Sequence, residues 1–556
     1  MRWSDWRAVK RATYALSGFV LLVLLCAVPA RAQDNDIDPN EHFKKAMMLH
    51  DAKDYEKALA ELAIARKATS EKDDSYLVIL KWQGFISIRA GRFQDAIEPL
   101  EKMIEKKPQD AEALLNLGNA YEGMGEARHP DAIKTYNKAA TANPMLADPY
   151  FNLGNLYYKK RDFPKSIVAY KKAASINDKD YAIFQNLGHT YFASATLGAS
   201  GDFNNAVDAY SKATKLAEEE KEATLPKPYK AKLYMHLGNA CIHQYRDSKT
   251  SDSDKSSVMS LCQNSFKRAV ELDPKEYDIH RYYGEALIDL GKPNEGAQQL
   301  LLASKIDDTR YDAHYNRAQA LARIKPENQQ EAATLAAEAV KEFGRALELA
   351  SGGEQIQDAL QGLGALQMRR ESPETIKTLT RLTTEFPQYV GGWTTLALAR
   401  EKLKDRDGAI ATLELGQKKV TKQRDQAKLL RDLGAFYIAK AVENKKPGQQ
   451  GDINLLNKAQ KAFNESLALE ADMADAYHGL GLTASWLGQL KDAISNYQRA
   501  INLNPRFAAA YNDLGVAYQD QKENDKAIAA FEKAVRFDDN PDYQKNLQEV
   551  RKAKKG

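Results

Sequence analysis

Apolar side chains recur at spacings of three and four along most of the chain, and the pattern resets about every 34 residues. Glycine marks the resets: Gly84 to Gly118, Gly154 to Gly188 and Gly481 to Gly515 are each 34 apart, and "EARHP" stretches Gly118 to Gly154 to 36. Three residues after the glycine stands an aromatic or apolar residue, tyrosine at 121, 157, 191, 437 and 518. Twelve residues after it, inserts aside, comes a small one, as at Ala96, Ala132, Ser166, Ala206, Ala493 and Ala527. Four further on sits a large ring (Tyr136, Tyr170, Tyr210, Phe266, Phe463, Tyr497, Phe531), and three more bring alanine again. Proline often closes the unit, at Pro108, Pro144, Pro274, Pro387 and Pro505. Such spacings put the large residues on one stripe of each of two helices. Glycine in the first helix and alanine in the second predict close crossing, and proline separates one hairpin from the next. One hairpin cannot bury its own faces, but stacked neighbours can.

Composition agrees with helix. Of 556 residues, 43% are hydrophobic and 28% charged, with only 18 prolines and 31 glycines, which excludes a disordered chain and a loop-rich β architecture. The net charge of +4 vanishes once the first 32 residues are set aside, since they carry five basic residues against Asp5. The rest has no basic footprint for nucleic acid. Those 32 residues read as a secretory signal: a basic start, the run "YALSGFVLLVLLCAVPA", then "ARA", predicting a mature start at Gln33. Residues 12–30 are uncharged and just long enough to remain as an inner-membrane anchor, the alternative reading. Export implies an oxidising compartment.

The unit "AYHGLGLTASWLGQLKDAISNYQRAINLNP" (476–505) resembles the tetratricopeptide repeat, and weaker copies extend the resemblance over nearly the whole mature chain. The resemblance implies an all-α, right-handed superhelical solenoid of about thirteen hairpins, in an exported bacterial protein. The expected organisation is a signal peptide over 1–32, a linker over 33–39 and repeats over 40–350 and 354–539. A capping helix with a basic tail follows over 540–556. "SGGE" at Ser351 is the expected joint. Polar loops are expected in "ASATLGASGD", "RDSKTSDSDKSSVMS" (246–260) and "NKKPGQQGD" (444–452).

Catalytic chemistry finds no foothold. No phosphate-loop motif or nucleophile elbow occurs, "NLGN" falls inside a helix, and the nine histidines lack metal-site spacing. No enzyme, cofactor or metal is therefore expected. Cys241 and Cys262 occupy facing slots of one hairpin. They read either as a disulfide closing a loop of about 20 residues or as two small buried residues.

The resemblance implies that first helices line a concave groove, reached by the residues two before and one after the glycine. These are Asn116, Asn119, Asn152, Asn155, Asn186, His189, Asn239 and, further on, Asn316, with Leu115, Phe151 and Tyr158 as apolar contacts. An asparagine ladder can hold an extended peptide backbone. The family's clamp for peptide C-termini fits poorly, since Leu115, Ala182 and Asn186 stand at its cationic positions. The expected function is a non-catalytic scaffold of the cell envelope, most naturally periplasmic. It would bind a peptide segment or partner loop and support a pilus, secretion, motility or polysaccharide-export assembly. A self-assembling structural protein and a membrane-anchored accessory subunit of an envelope enzyme are the alternatives. The expected partner is protein, not nucleic acid, with membrane contact only through a retained N-terminal segment; an oligomer is left open.

Overall fold

A computed structural model describes residues 37–198, 203–247, 250–443, 445 and 451–555. The export segment, its anchor alternative and the cleavage site lie outside them, as do parts of the three inserts. Among the described residues there are 27 α-helices and no strand. Contacts divide the chain into two compact units, meeting between Gly291 and Lys292.

The first unit pairs α1 (Pro39–Asp51) with α2 (Tyr55–Ala68), α3 (Asp74–Arg89) with α4 (Phe93–Lys106), and α5 (Ala111–Gly123) with α6 (His129–Ala142). It continues with α7 (Ala147–Lys159) and α8 (Phe163–Ile176), α9 (Tyr181–Thr196) and α10 (Phe203–Glu219), α11 (Lys227–Arg246) and α12 (Asp252–Leu272), then α13 (Tyr277–Asp289). The second unit opens with α14 (Pro293–Ile306), followed by α15 (Tyr311–Arg323) and α16 (Gln329–Leu349), α17 (Gly353–Arg369) and α18 (Thr375–Glu385). Then come α19 (Val390–Lys402) and α20 (Arg406–Lys419), α21 (Gln423–Ala441) and α22 (Ile453–Leu469), and α23 (Ala474–Trp486) and α24 (Leu490–Leu503). The pair α25 (Ala508–Asp520) and α26 (Asn524–Phe537) precedes α27 (Pro541–Lys555). In chain order the first twelve helices make six successive pairs in the first unit, and α15 to α26 make six more in the second. α27 covers the last pair, burying Leu547 and Val550 against Phe531.

The small residues do the work their spacing implies. A Cβ on Gly118 would stand 2.5 Å from the Tyr136 ring, and one on Gly238 2.7 Å from the Phe266 ring. The turn inside many of the hairpins has its own signature. Seven residues after the small residue the backbone turns left-handed, at Gly91, Gly125, Gly291 and Gly488 but also at Lys53, Arg161, Glu371, Lys404 and Lys522. For those five non-glycine residues the turn costs roughly 1–2 kcal/mol, which burial on both sides of it offsets. Aspartates start many helices, Asp54, Asp162 and Asp405 each accepting a backbone N–H of the first turn.

Two expectations change. The polar stretch 246–260 is helical from Asp252 onward, because Ser251 caps the N–H of Asp254 and starts α12 early. "SGGE" lies inside the second unit, where Gly352 is the N-cap of α17 and the Ser351 N–H binds the Gln355 side chain at 2.9 Å.

Candidate functional site

Burying a tyrosine leaves a hydroxyl that needs a partner. Tyr136, Tyr170 and Tyr210 lie fully buried in second helices, and each hydroxyl reaches the residue just after the glycine of its own first helix. Tyr136 Oη is 2.8 Å from Asn119 Oδ1 and 2.9 Å from Glu122. Tyr170 donates to Asn155 Oδ1 at 2.6 Å, and Tyr210 Oη meets His189 Nδ1 at 2.7 Å. Burial pushes all three hydroxyls well above the ordinary tyrosine range.

The next hairpin then joins the same atoms. Asn152 Nδ2 donates to Asn119 Oδ1 at 2.9 Å, and Asn186 Nδ2 to Asn155 Oδ1 at 3.3 Å. At the third step imidazoles replace amides: His236 meets His189 edge-on at 4.7 Å between ring centres and stacks over Tyr210 at 5.9 Å. Burial holds His189 well below its usual pKa, and burial followed by Lys232 brings His236 to about 4. Asn119, expected as a groove contact, therefore also has a packing role. Four of the asparagines and His189 tie the hairpins from α5 to α11 in succession.

The same bonds fix which way each amide points. With the oxygens of Asn119 and Asn155 used internally, their Nδ2 groups are left over, and so are the Oδ1 atoms of Asn152 and Asn186. All four side chains are partly exposed. The face of α5, α7 and α9 thus presents donor, acceptor, donor, acceptor in chain order. Asn116 and Asn239 are partly exposed and take no hydrogen bond from a described residue. Asn239 is spared because the ring behind it is Phe266, which has no hydroxyl. Asn316, in the second unit, is partly exposed and is not without a partner.

The apolar candidates divide. Leu115 is only 7% exposed and belongs to the core, a correction that follows from its packing with Leu114 and Leu117. Phe151 packs edge-on against Tyr170 and Tyr158 against Phe163, both rings partly exposed beside the amides.

In the second unit a different ladder occurs, which the sequence reading missed: it joins the residue three before the small residue of one hairpin to the residue two before that of the next. Gln361 donates to Thr395 at 3.1 Å, Thr394 to Asp432 at 3.0 Å, and His478 meets Asp513 at 2.7 Å. Its signal was present: polar residues recur two and three places before the small residue there.

Cys241 and Cys262 are fully buried free thiols. Cys262 is the hydrogen-bonding partner of Cys241, and this contact together with burial pushes the Cys241 thiol far up. We propose that they join as a disulfide when the protein folds in an oxidising compartment, by exchange with a partner disulfide. Thiol titration of the unfolded, unreduced exported protein should then find no reactive thiol among residues 33–556; two would refute the bond.

No group of three metal-ligating side chains occurs among the described residues, and no described helix is long and apolar enough to cross a membrane.

Stacked hairpins, close glycine crossings and a polar first-helix face define a helical-repeat protein, a class built for protein–protein interaction and typically non-catalytic. Profiles of the tetratricopeptide repeat match residues 88–144, 128–161, 147–180, 487–522 and 508–541. The chain carries tetratricopeptide repeats over these residues. It is 35% identical over 81 residues to a chloroplastic tetratricopeptide repeat domain-containing protein, PYG7, of Arabidopsis thaliana, covering 15% of this chain and 27% of that one. It is 27% identical over 169 residues to cellulose synthase operon protein C of Escherichia coli K12, covering 30% and 15%. The chain thus spans about a quarter or less of the length of these curated relatives. Among solved structures, yeast Tom70 aligns over 93% of this chain and 95% of its own at 15% identity and a TM-score of 0.33. The tetratricopeptide protein YrrB aligns over 40% and 96% at 18% identity and 0.30.

Proposed function

We propose that the chain is an exported, non-catalytic scaffold whose first unit holds an extended peptide segment or partner loop along α5, α7, α9 and α11. The observation that carries this reading is the fixed alternation of spare donors and acceptors on Asn119, Asn152, Asn155 and Asn186. An extended backbone offers acceptors and donors in the same alternation, so such a row suits a main chain without reading its side chains. Because internal bonds hold the amides in place, little side-chain freedom is lost on binding. Phe151 and Tyr158 add apolar contact, and Asn116 and Asn239 extend the row.

The setting is proposed to be the bacterial envelope, on the strength of the N-terminal segment, with an assembly role there. Similarity to a protein named for a cellulose synthase operon supports polysaccharide export among the possible assemblies.

The test exploits the directionality of the rungs. Asn119→Asp with Asn155→Asp keeps the oxygens that Tyr136, Tyr170, Asn152 and Asn186 use but removes the outward donors. Capture of a partner from envelope extract, cross-linked to α5, α7 or α9, should fall at least about tenfold, equivalent to about 1.4 kcal/mol. Helicity and melting should be unchanged. Undiminished capture would refute the groove, and a first residue other than Gln33 in the exported protein would refute cleavage there.

A further inference from the structure

The second unit carries a constellation that its ladder does not use. Tyr311 and Tyr315 stack on one face of α15 with ring centres 5.4 Å apart and planes 15° from parallel. The Tyr311 hydroxyl donates to the Gln355 carbonyl at 3.0 Å, fixing the pair against the first turn of α17. Asp358 stands one turn further along that helix. Tyr389 is the N-cap of α19. Its ring folds back over Gly391, where a Cβ would lie 2.7 Å from both Cζ and Oη. Glycine at 391 is what allows a ring to lie there.

Asp358 is exposed at the surface and takes neither a hydrogen bond nor an ion pair from any described residue. Its neighbour of consequence is another acid, Glu354, one turn earlier. Burial and Glu354 raise its pKa, and its charge in turn raises those of Tyr311, Tyr315 and Tyr389 after burial has done so. The three hydroxyls and the carboxylate therefore share one electrostatic neighbourhood. All three rings are partly exposed.

Aromatic faces attract cations through their quadrupole, and an unpaired carboxylate beside them supplies a directional acceptor. Arginine suits both features: its guanidinium is planar, stacks on flat rings and donates two parallel hydrogen bonds to a carboxylate. We propose that the second unit binds an arginine side chain of a peptide, stacked on Tyr311, Tyr315 and Tyr389 with its guanidinium on Asp358. This deepens the reading of the protein as a peptide-binding scaffold, but it uses none of the amides of the first unit.

Saturation-transfer NMR on the full mature protein tests it at low salt, with a capped Gly-Ser-Arg-Ser-Gly peptide as probe. The arginine side-chain protons should receive saturation, and the citrulline peptide, isosteric but neutral, should bind at least about tenfold more weakly. Asp358→Asn and Tyr389→Ala should each weaken the arginine peptide by about fivefold or more, with unchanged helicity. Equal binding of the citrulline peptide, indifference to Asp358→Asn, or no saturation at all would overturn the site. Choline binding more tightly than the arginine peptide would overturn the peptide as its source. Asn119→Asp with Asn155→Asp should leave this signal intact, so the two proposals fail separately.

Discussion

Phe463→Ala is expected to destabilise the second unit by about 3–5 kcal/mol. The Phe463 ring, 2% exposed, fills the space above two glycines at once. A Cβ on Gly434, in its own hairpin, would stand 2.7 Å from it, and Gly479 of the next hairpin is closer still. Removing the ring leaves a cavity floored by two residues with no side chain to move into it. Each hairpin contacts only its neighbours, and stability is close to a sum of hairpin and interface contributions. The loss therefore falls on one hairpin and one interface, and the urea melt should resolve into two phases. Val516→Ala, at a position 38% exposed, is the control and should stay within about 0.5 kcal/mol of the parent. A single unshifted transition for Phe463→Ala would show that the ring does not join the two hairpins.

Acidification should loosen the first unit through His189 and His236. An unfolded histidine takes up its proton near pH 6.5, whereas His236 in the fold does so at about 4 and His189 well below its usual value. Between those values the unfolded chain binds more protons than the folded one. The stabilisation is complete above about pH 6.5 and falls with pH until the folded histidines themselves protonate. From pH 7 to pH 5 the loss through His236 is roughly 2 kcal/mol, and His189 adds to it in the same direction. His189→Asn with His236→Asn would rebuild the rung in the amide form found at Asn119 and Asn152, keeping an acceptor for Tyr210. Urea melts of both proteins at pH 7 and pH 5 check this. The variant should lose that part of the pH dependence, and identical slopes would count against the histidine pair.

The hairpins were readable in the sequence because their determinants are local. A glycine every 34 residues and an aromatic ring in the second helix name both sides of each crossing. The helical start of α12 was harder to see, since Ser251 had to be recognised as a cap within a run of serines and aspartates. The candidate face was half readable. Asn119 and Asn155 stand where peptide contacts were expected, yet their oxygens belong to Tyr136 and Tyr170. Only three-dimensional neighbours reveal that, because each phenol lies 15 to 17 residues away from its acceptor. Sequence could have hinted at it: Tyr136, Tyr170 and Tyr210 coincide with Asn119, Asn155 and His189, whereas Phe463 and Phe531 coincide with Ala435 and Val516. The cluster around Asp358 was out of reach, for it draws on three helices and on a ring turned back over a glycine.

The pairing of phenol and amide also bears on how such an array can grow. A hairpin such as that of Tyr136 or Tyr170 brings its own acceptor and bonds to an amide of its successor, as Asn119 does to Asn152. It is matched to a particular neighbour. A hairpin with phenylalanine, such as α25 with α26, asks no such match at its Val516 position. Duplication, deletion or splicing of whole hairpins should therefore be tolerated best beside phenylalanine units. The stretch from α5 to α12 would instead be inherited as a block, its members changing together or not at all.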